Sequence, residues 1–170
     1  MLKGDTLTMG YPPDWRPIDY TTGSIDTVLK PIPLNAGMRL LLHQTALDKT
    51  VKLILLHAPE QVGYAPNVTI RKMAISQSLT LDKISTENVE GLKRIAIKPP
   101  IAYSVIINGG PAERIEWSSR YHGKLPINSL DQVTFILLRG HIEYILAFSA
   151  APGNNVERFF NQMASTFTIS

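Results

Sequence analysis

The chain has 170 residues, enough to bury roughly 70% of the surface its unfolded form would expose, so it needs no disulfide or metal staple. It has no cysteine, which excludes disulfides, thiolate catalysis and thiol-ligated zinc. Seventeen Lys and Arg against fourteen Asp and Glu give a net charge of +3, and the basic residues are scattered, so nothing in the charge pattern supports a nucleic-acid or anionic-membrane surface.

Apolar runs such as Leu40–Leu42 and Ile54–Leu56 fall far short of the ~18–20 residues that span a bilayer. The opening Met1-Leu2-Lys3-Gly4-Asp5 carries no hydrophobic signal core. That leaves two readings, an intracellular protein or one whose signal has been removed. Eleven glycines and twelve prolines punctuate the chain without forming a linker, and there is no internal repeat, so residues 1–170 read as one domain.

Leu7 to Tyr11 alternates and reads as a strand stopped by Pro12-Pro13. Residues 19–36 are rich in turn formers and give no clear element. Met38–Gln44 and Val51–His57 read as two strands, joined as a hairpin through Leu47-Asp48-Lys49. Val68–Ile75 alternates and reads as a further strand.

The period then changes. Between Ser78 and Ile95, Leu81, Ile84, Ser85, Asn88 and Leu92 share a helical face. Thr80 is a candidate N-cap, and Glu90 and Arg94 form an i,i+4 pair. Pro99-Pro100 stops this segment, and a meander follows. Tyr103–Ile107 is a strand, Asn108-Gly109 has the chemistry of a type I′ turn, and Ala112–Tyr121 is the return strand. In that strand Ile115, Trp117 and Tyr121 lie on one face and Arg114, Glu116, Ser118 and Arg120 on the other, which predicts one buried and one wet face.

Val133–Leu138 is almost wholly apolar and reads as a central strand, and Arg139-Gly140 turns it into His141–Ser149. Asn154 or Asn155 can cap a last helix in which Val156, Phe159, Phe160 and Met163 recur at helical spacing. Phe167 and Ile169 extend its apolar surface. The pattern is α+β: an antiparallel sheet closed by a C-terminal amphipathic helix.

No catalytic apparatus is legible. There is no Gly-x-Ser-x-Gly elbow, no phosphate-binding loop and no carboxylate pair of glycosidase type. Ser24, Ser76 and Ser78 read as caps and turns. His43, His57, His122 and His141 are too widely spaced for a local metal motif, although His122 and His141 could meet across strand ends. Asp131, Glu143 and Glu157 are dispersed. Trp15 and Trp117 read as core residues, as do Phe159 and Phe160. What remains for function is surface. Arg120, Tyr121 and His122, running into Gly123 and Lys124, bring a cation, an aromatic and an imidazole to a strand end and are the candidate partner-binding residues.

Four segments, in this order and spacing, resemble the PsbP-like family of photosystem II extrinsic proteins and their bacterial relatives. They are Tyr11-Pro12-Pro13-Asp14-Trp15, the hairpin Val105–Ala112, the late strand His141–Ser149, and the terminal helix Phe159–Phe167. Together with the stretch from Val68 onward they cover about two thirds of the chain, whereas residues 19–60 do not match clearly. The resemblance implies an α/β/α sandwich around a central antiparallel sheet. It implies a non-enzymatic partner: a photosystem assembly or stabilising factor, a Ran-release factor or a chaperone-like secretion adaptor. It implies a protein partner, a membrane complex among the options, no cofactor, a monomer or weak oligomer, and a thylakoid-lumen or periplasmic location ahead of a cytoplasmic one. No metal-binding or partner-binding residue of the family maps onto a position here. The alternatives are a small-ligand or cation carrier and, third, a hydrolase with an unfamiliar site.

Overall fold

The computed structural model describes residues 6–19, 24–57, 63–121, 127–153 and 157–170. In chain order the elements are β1 (Leu7–Thr8), β2 (Trp15–Ile18), α1 (Ile25–Leu29), α2 (Ala36–Leu47), β3 (Val51–His57), β4 (Asn67–Ala74), α3 (Leu81–Lys93), β5 (Ala96–Ile107), β6 (Gly110–Arg120), β7 (Ser129–Arg139), β8 (Ile142–Ala150), α4 (Glu157–Ser165) and β9 (Thr168–Ile169). Seven strands form one antiparallel sheet in the order β2-β3-β4-β8-β7-β6-β5, and β1 pairs with β9 in a separate ribbon.

The centre of the sheet is β4-β8-β7, where Val68 lies opposite Phe148, and Phe148 opposite Val133. Because side chains alternate along a strand, Val68, Ile70, Leu146, Phe148, Val133 and Phe135 share one face. There they pack with Phe160, Met163, Ala164 and Phe167 from α4 and its C-terminal extension. The opposite face carries two further clusters. Ile18, Ile54 and Leu56 pack with Leu29, Met38 and Leu42 of α1 and α2, and Ile115 and Ile136 pack with Ile84 of α3. The architecture is therefore an α/β/α sandwich, as the resemblance implies.

Several local expectations are corrected. Met38–Gln44 is helix, not strand. The side chain of Asn35 accepts from the Met38 N–H at 2.9 Å and caps α2. Leu, Met, Arg and Gln are good helix formers, and only Met38 and Leu42, four residues apart, are buried in α2. Leu40 and Leu47 face solvent. Arg39 fixes the α1–α2 connection by donating to the carbonyls of Leu29, Ile32 and Leu34 at 2.8, 2.8 and 3.2 Å. Leu47-Asp48-Lys49 therefore joins a helix to β3 rather than two strands. The expected first strand, Leu7–Tyr11, pairs only at Leu7 and Thr8.

Pro99-Pro100 does not stop β5. The strand starts at Ala96 and runs through both prolines with register shifts on either side of Lys98. An outer strand tolerates this because the missing N–H groups would not all have met a neighbour. β6 has no wet face along its first half, since Ala112 and Arg114 are buried on the α4 side and Ile115 on the α3 side. On α3, Thr80 caps as expected, but Glu90 pairs with Lys93 at 2.6 Å rather than with Arg94. The turn at Asn108-Gly109 has φ of 47° and 75°, as a type I′ turn requires. Trp15 is buried, while Trp117 is half-buried and donates its indole N–H to Thr134 Oγ1 at 3.3 Å.

On α4, Phe160, Met163 and Ala164 point inward at helical spacing, whereas Phe159 is 41% exposed instead of packed. The expected caps Asn154 and Asn155, and Val156, lie outside the described residues. Phe160→Ala is expected to destabilise the fold by about 3–5 kcal/mol. Phe159→Ala should cost about 0.5 kcal/mol or less, as for an exposed position. Urea unfolding of the two variants checks this difference.

Candidate functional site

β5 is rich in β-branched and aromatic residues, which suits a strand. Its position at the end of the sheet leaves many of them uncovered. Ile101 is 53% exposed, Tyr103 44% and Ile106 71%, and Ile95 and Ile97 beside them are also exposed. Ile101 and Tyr103 lie opposite Glu116 and Arg114, so they share the face that α4 covers elsewhere. α4 packs on the β7–β8 half of that face and leaves Ile101 and Tyr103 of β5 uncovered.

Arg114 bridges the two halves. Its Nε donates to Asn161 Oδ1 on α4 at 3.1 Å, its guanidinium pairs with Glu116, and it lies 5.9 Å from the ring centres of both Tyr103 and Phe135. Beside it, between the start of β5 and α4, is a cleft of about 270 Å³. Its apolar wall is Pro99, Ile101, Val133 and Phe160. Glu116, Asp131 and Lys98 supply charge, with Asp131 accepting from Ser118 Oγ at 2.9 Å. Arg114 offsets Glu116, and Asp131 stands exposed on the rim.

The residues singled out at the end of β6 lie elsewhere. Arg120 is exposed. Tyr121 is half-buried, with its ring edge-on to Tyr64 at 5.9 Å beneath the α2 side of the sheet. Burial raises the pKa of both hydroxyls, and Tyr64 donates to Ser149 Oγ at 2.8 Å. Tyr121 thus packs against the α2-side cluster while staying partly exposed. His122 lies outside the described residues, as does the His122–His141 pairing.

Two histidines sit against carboxylates. His57 Nε2 is 2.7 Å from Asp14 Oδ2, and His43 Nε2 is 2.8 Å from Asp26 Oδ1. These pairs tie the entry of β2 to the end of β3, and α1 to α2. Among the described residues, neither histidine is hydrogen-bonded to a serine hydroxyl, and no group of three or more metal-ligating side chains converges. No helix among them is long and apolar enough to cross a membrane.

The other unusual group is Glu143 on β8, 5% exposed, with Oε1 buried and unpartnered. It lies between Met73 of β4 and Leu138 of β7. Arg71, two residues along the same face of β4, is taken up by Asp48 at 3.2 Å, an ion-pair distance without hydrogen-bond alignment. Burial raises the pKa of the Glu143 carboxyl above the ordinary 4.5.

The exposed β5 surface is hidden in the sequence because Pro99-Pro100 reads as a boundary. The usable signal was the prolines themselves, which confine a strand to a sheet edge, together with the uncharged run from Pro99 to Ala112.

No family model and no curated protein matches the chain. Solved structures do. The chain is similar to LpqN, involved in cell envelope biogenesis of Mycobacterium tuberculosis, at 14% identity over 98% of this chain and 84% of that one, with a TM-score of 0.57. It is similar to cyanobacterial PsbP (CyanoP) from Synechocystis sp. PCC 6803, at 12% identity over 96% and 92%, TM-score 0.55. It is also similar to PA94, a protein of unknown function from Pseudomonas aeruginosa, at 13% identity over 71% and 83%, TM-score 0.58. At these identities the likeness is one of fold, and the fold is PsbP-like.

Glu143 generates a pH prediction. Its pKa is higher in the folded chain than in the unfolded one, so its contribution favours folding at low pH and is lost as pH rises through the folded value. Glu143→Gln is expected to raise stability at pH 8 by about 1 kcal/mol, with little gain at pH 4. Denaturant melts at the two pH values measure it, and an equal effect at both would remove the desolvation argument.

Proposed function

We propose that this domain is a non-enzymatic protein-binding module, and that it holds its partner in the cleft beside α4, against the exposed Ile101 and Tyr103 of β5. The observation that carries the reading is an apolar recess with Asp131 exposed on its rim, flanked by exposed Ile101 and Tyr103. Such a recess suits a partner segment with one apolar side chain next to a lysine or arginine, because the anchor fills the recess and the cation meets Asp131.

The openness of the cleft favours this over a small-ligand carrier. Ligand pockets run to ~300–1,000 Å³ and enclose most of their ligand, whereas the cleft holds about 270 Å³ and opens to solvent. A role in assembling a membrane complex such as photosystem II belongs to this reading only through the fold shared with CyanoP. The same fold serves an envelope protein, so it does not select the partner.

The test is panning of a random peptide library on the folded domain. Binders are expected to carry an apolar residue beside a basic one. Asp131→Lys, on the exposed rim, should weaken them about tenfold, and Ile101→Glu at least as much. Glu87→Lys, on α3 across the sheet, should leave binding unchanged. An absence of binders, or binders indifferent to the rim substitutions, would overturn the reading.

A further inference from the structure

We propose that the free edge of β5 is covered by a second copy of this chain, paired antiparallel about a two-fold axis at Ser104. The proposal concerns the main-chain edge and is independent of the cleft.

The hairpin geometry sets which groups are available. β5 and β6 are in continuous register from Ile101↔Glu116 to Ile107↔Gly110. A two-residue type I′ turn makes Ile107 and Gly110 the closing hydrogen-bonded pair, and hydrogen-bonded pairs alternate from there. Ile101, Tyr103, Val105 and Ile107 therefore direct their main chain at β6. Ala102, Ser104 and Ile106 direct theirs outward, three N–H and three C=O groups that no described turn or loop takes up.

Outer strands are ordinarily protected by charge, brevity, proline or a bulge. The opposite edge, β2, is four residues long and includes Arg16 and Pro17. β5 between Ile101 and Ile107 has none of these devices, and Ile101, Tyr103 and Ile106 are exposed along it.

A second copy suits this edge because the segment is complementary to itself. Its two stops, Pro100 with no N–H and Asn108 at the turn, each lie four residues from Ser104. Pairing about Ser104 sets Ala102 opposite Ile106, Tyr103 opposite Val105 and Ile101 opposite Ile107, and it ends where each copy's strand ends. A two-fold contact brings every charge near the axis against its own image, and like charges opposite one another destabilise a ladder. The strand carries no charge from Pro99 to Ile107. Glu113, the carboxylate beside the axis, already accepts from Ser104 and Ser85. Seven paired residues span only ~23 Å, and with α3 of each copy on the same face of the joined sheet the contact stays below the roughly 800 Å² per partner of a standard interface. The dimer is therefore expected to dissociate in the micromolar range.

The absence of cysteine gives a clean test. Ser104→Cys introduces the sole thiol, and in the proposed pairing its Cα lies about 5.5 Å from its image, within disulfide reach. Oxidation of the folded variant should give a covalent dimer at least tenfold faster than Gln77→Cys, a control in the β4–α3 loop. Sedimentation of the unaltered chain from 5 to 200 μM, a range set by the roughly micromolar expectation, should show a monomer passing to a dimer. Ile106→Lys, exposed and away from the cleft, should abolish the dimer while circular dichroism and peptide binding persist. A monomer throughout, equal cross-linking of the two cysteine variants, or a dimer unaffected by Ile106→Lys would overturn the proposal. So would cross-linking of Ser104→Cys to a library peptide in place of its image. Asp131→Lys should leave the dimer intact, which separates failure here from failure of the cleft reading.

Discussion

The ring of Phe160 is the contact on which the arrangement turns. It lies 4.8 Å from Phe148 at the centre of the sheet and edge-on to Trp15 at 6.4 Å, while Phe148 meets Phe135 edge-on at 5.6 Å. Such pairs contribute roughly 0.5–1.5 kcal/mol each beyond the area they bury. More important is what the stack positions. It seats α4 over β7 and β8 and ties it to β2 at the far side of the sheet. From there α4 meets β6 through Asn161 and Arg114 but stops short of Ile101 and Tyr103 on β5. The cleft and the exposed face of Ile101 and Tyr103 follow from that shortfall.

The other face is organised differently. Its two apolar clusters, under α1–α2 and under α3, are separated by a seam of polar side chains. Asn67 donates to the Tyr64 hydroxyl, which donates to Ser149, and farther along Trp117 reaches Thr134 and Gln132 donates to Ser119. Buried polar groups of this kind cost little once satisfied and much when left single. The seam therefore fixes the lateral placement of strands that apolar packing alone would let slide. Glu143, at the start of β8, is where that satisfaction lapses.

The sheet was more legible in the sequence than the helices. β4, β6, β7 and β8 announce themselves by strict alternation or by apolar runs bounded by turns, and Asn108-Gly109 marks its own turn. α3 was legible because Thr80 and the spacing of Leu81, Ile84 and Ser85 agree. α2 was not, because its run Leu40-Leu41-Leu42 includes one side chain that ends in water, so periodicity pointed to a strand while the decisive cap, Asn35, lay in a segment dense with turn formers. The cleft was illegible for a further reason. Its walls come from β5, β7 and α4, which are far apart in the chain, and their meeting depends on where Phe160 docks.

The ribbon of β1 and β9 joins residues near the two ends of the chain. Thr6 N–H donates to the Ser170 carbonyl at 2.8 Å, and Ser170 N–H donates back to Thr6 at 3.1 Å. Leu7 lies opposite Ile169, and the Thr8 and Thr168 hydroxyls bond to each other. Residues 6–170 are in effect a ring with a gap of one ladder step. Closing that gap with a short linker and opening the chain at another exposed turn, such as Arg139-Gly140, would permute the order of the elements without altering one strand pairing.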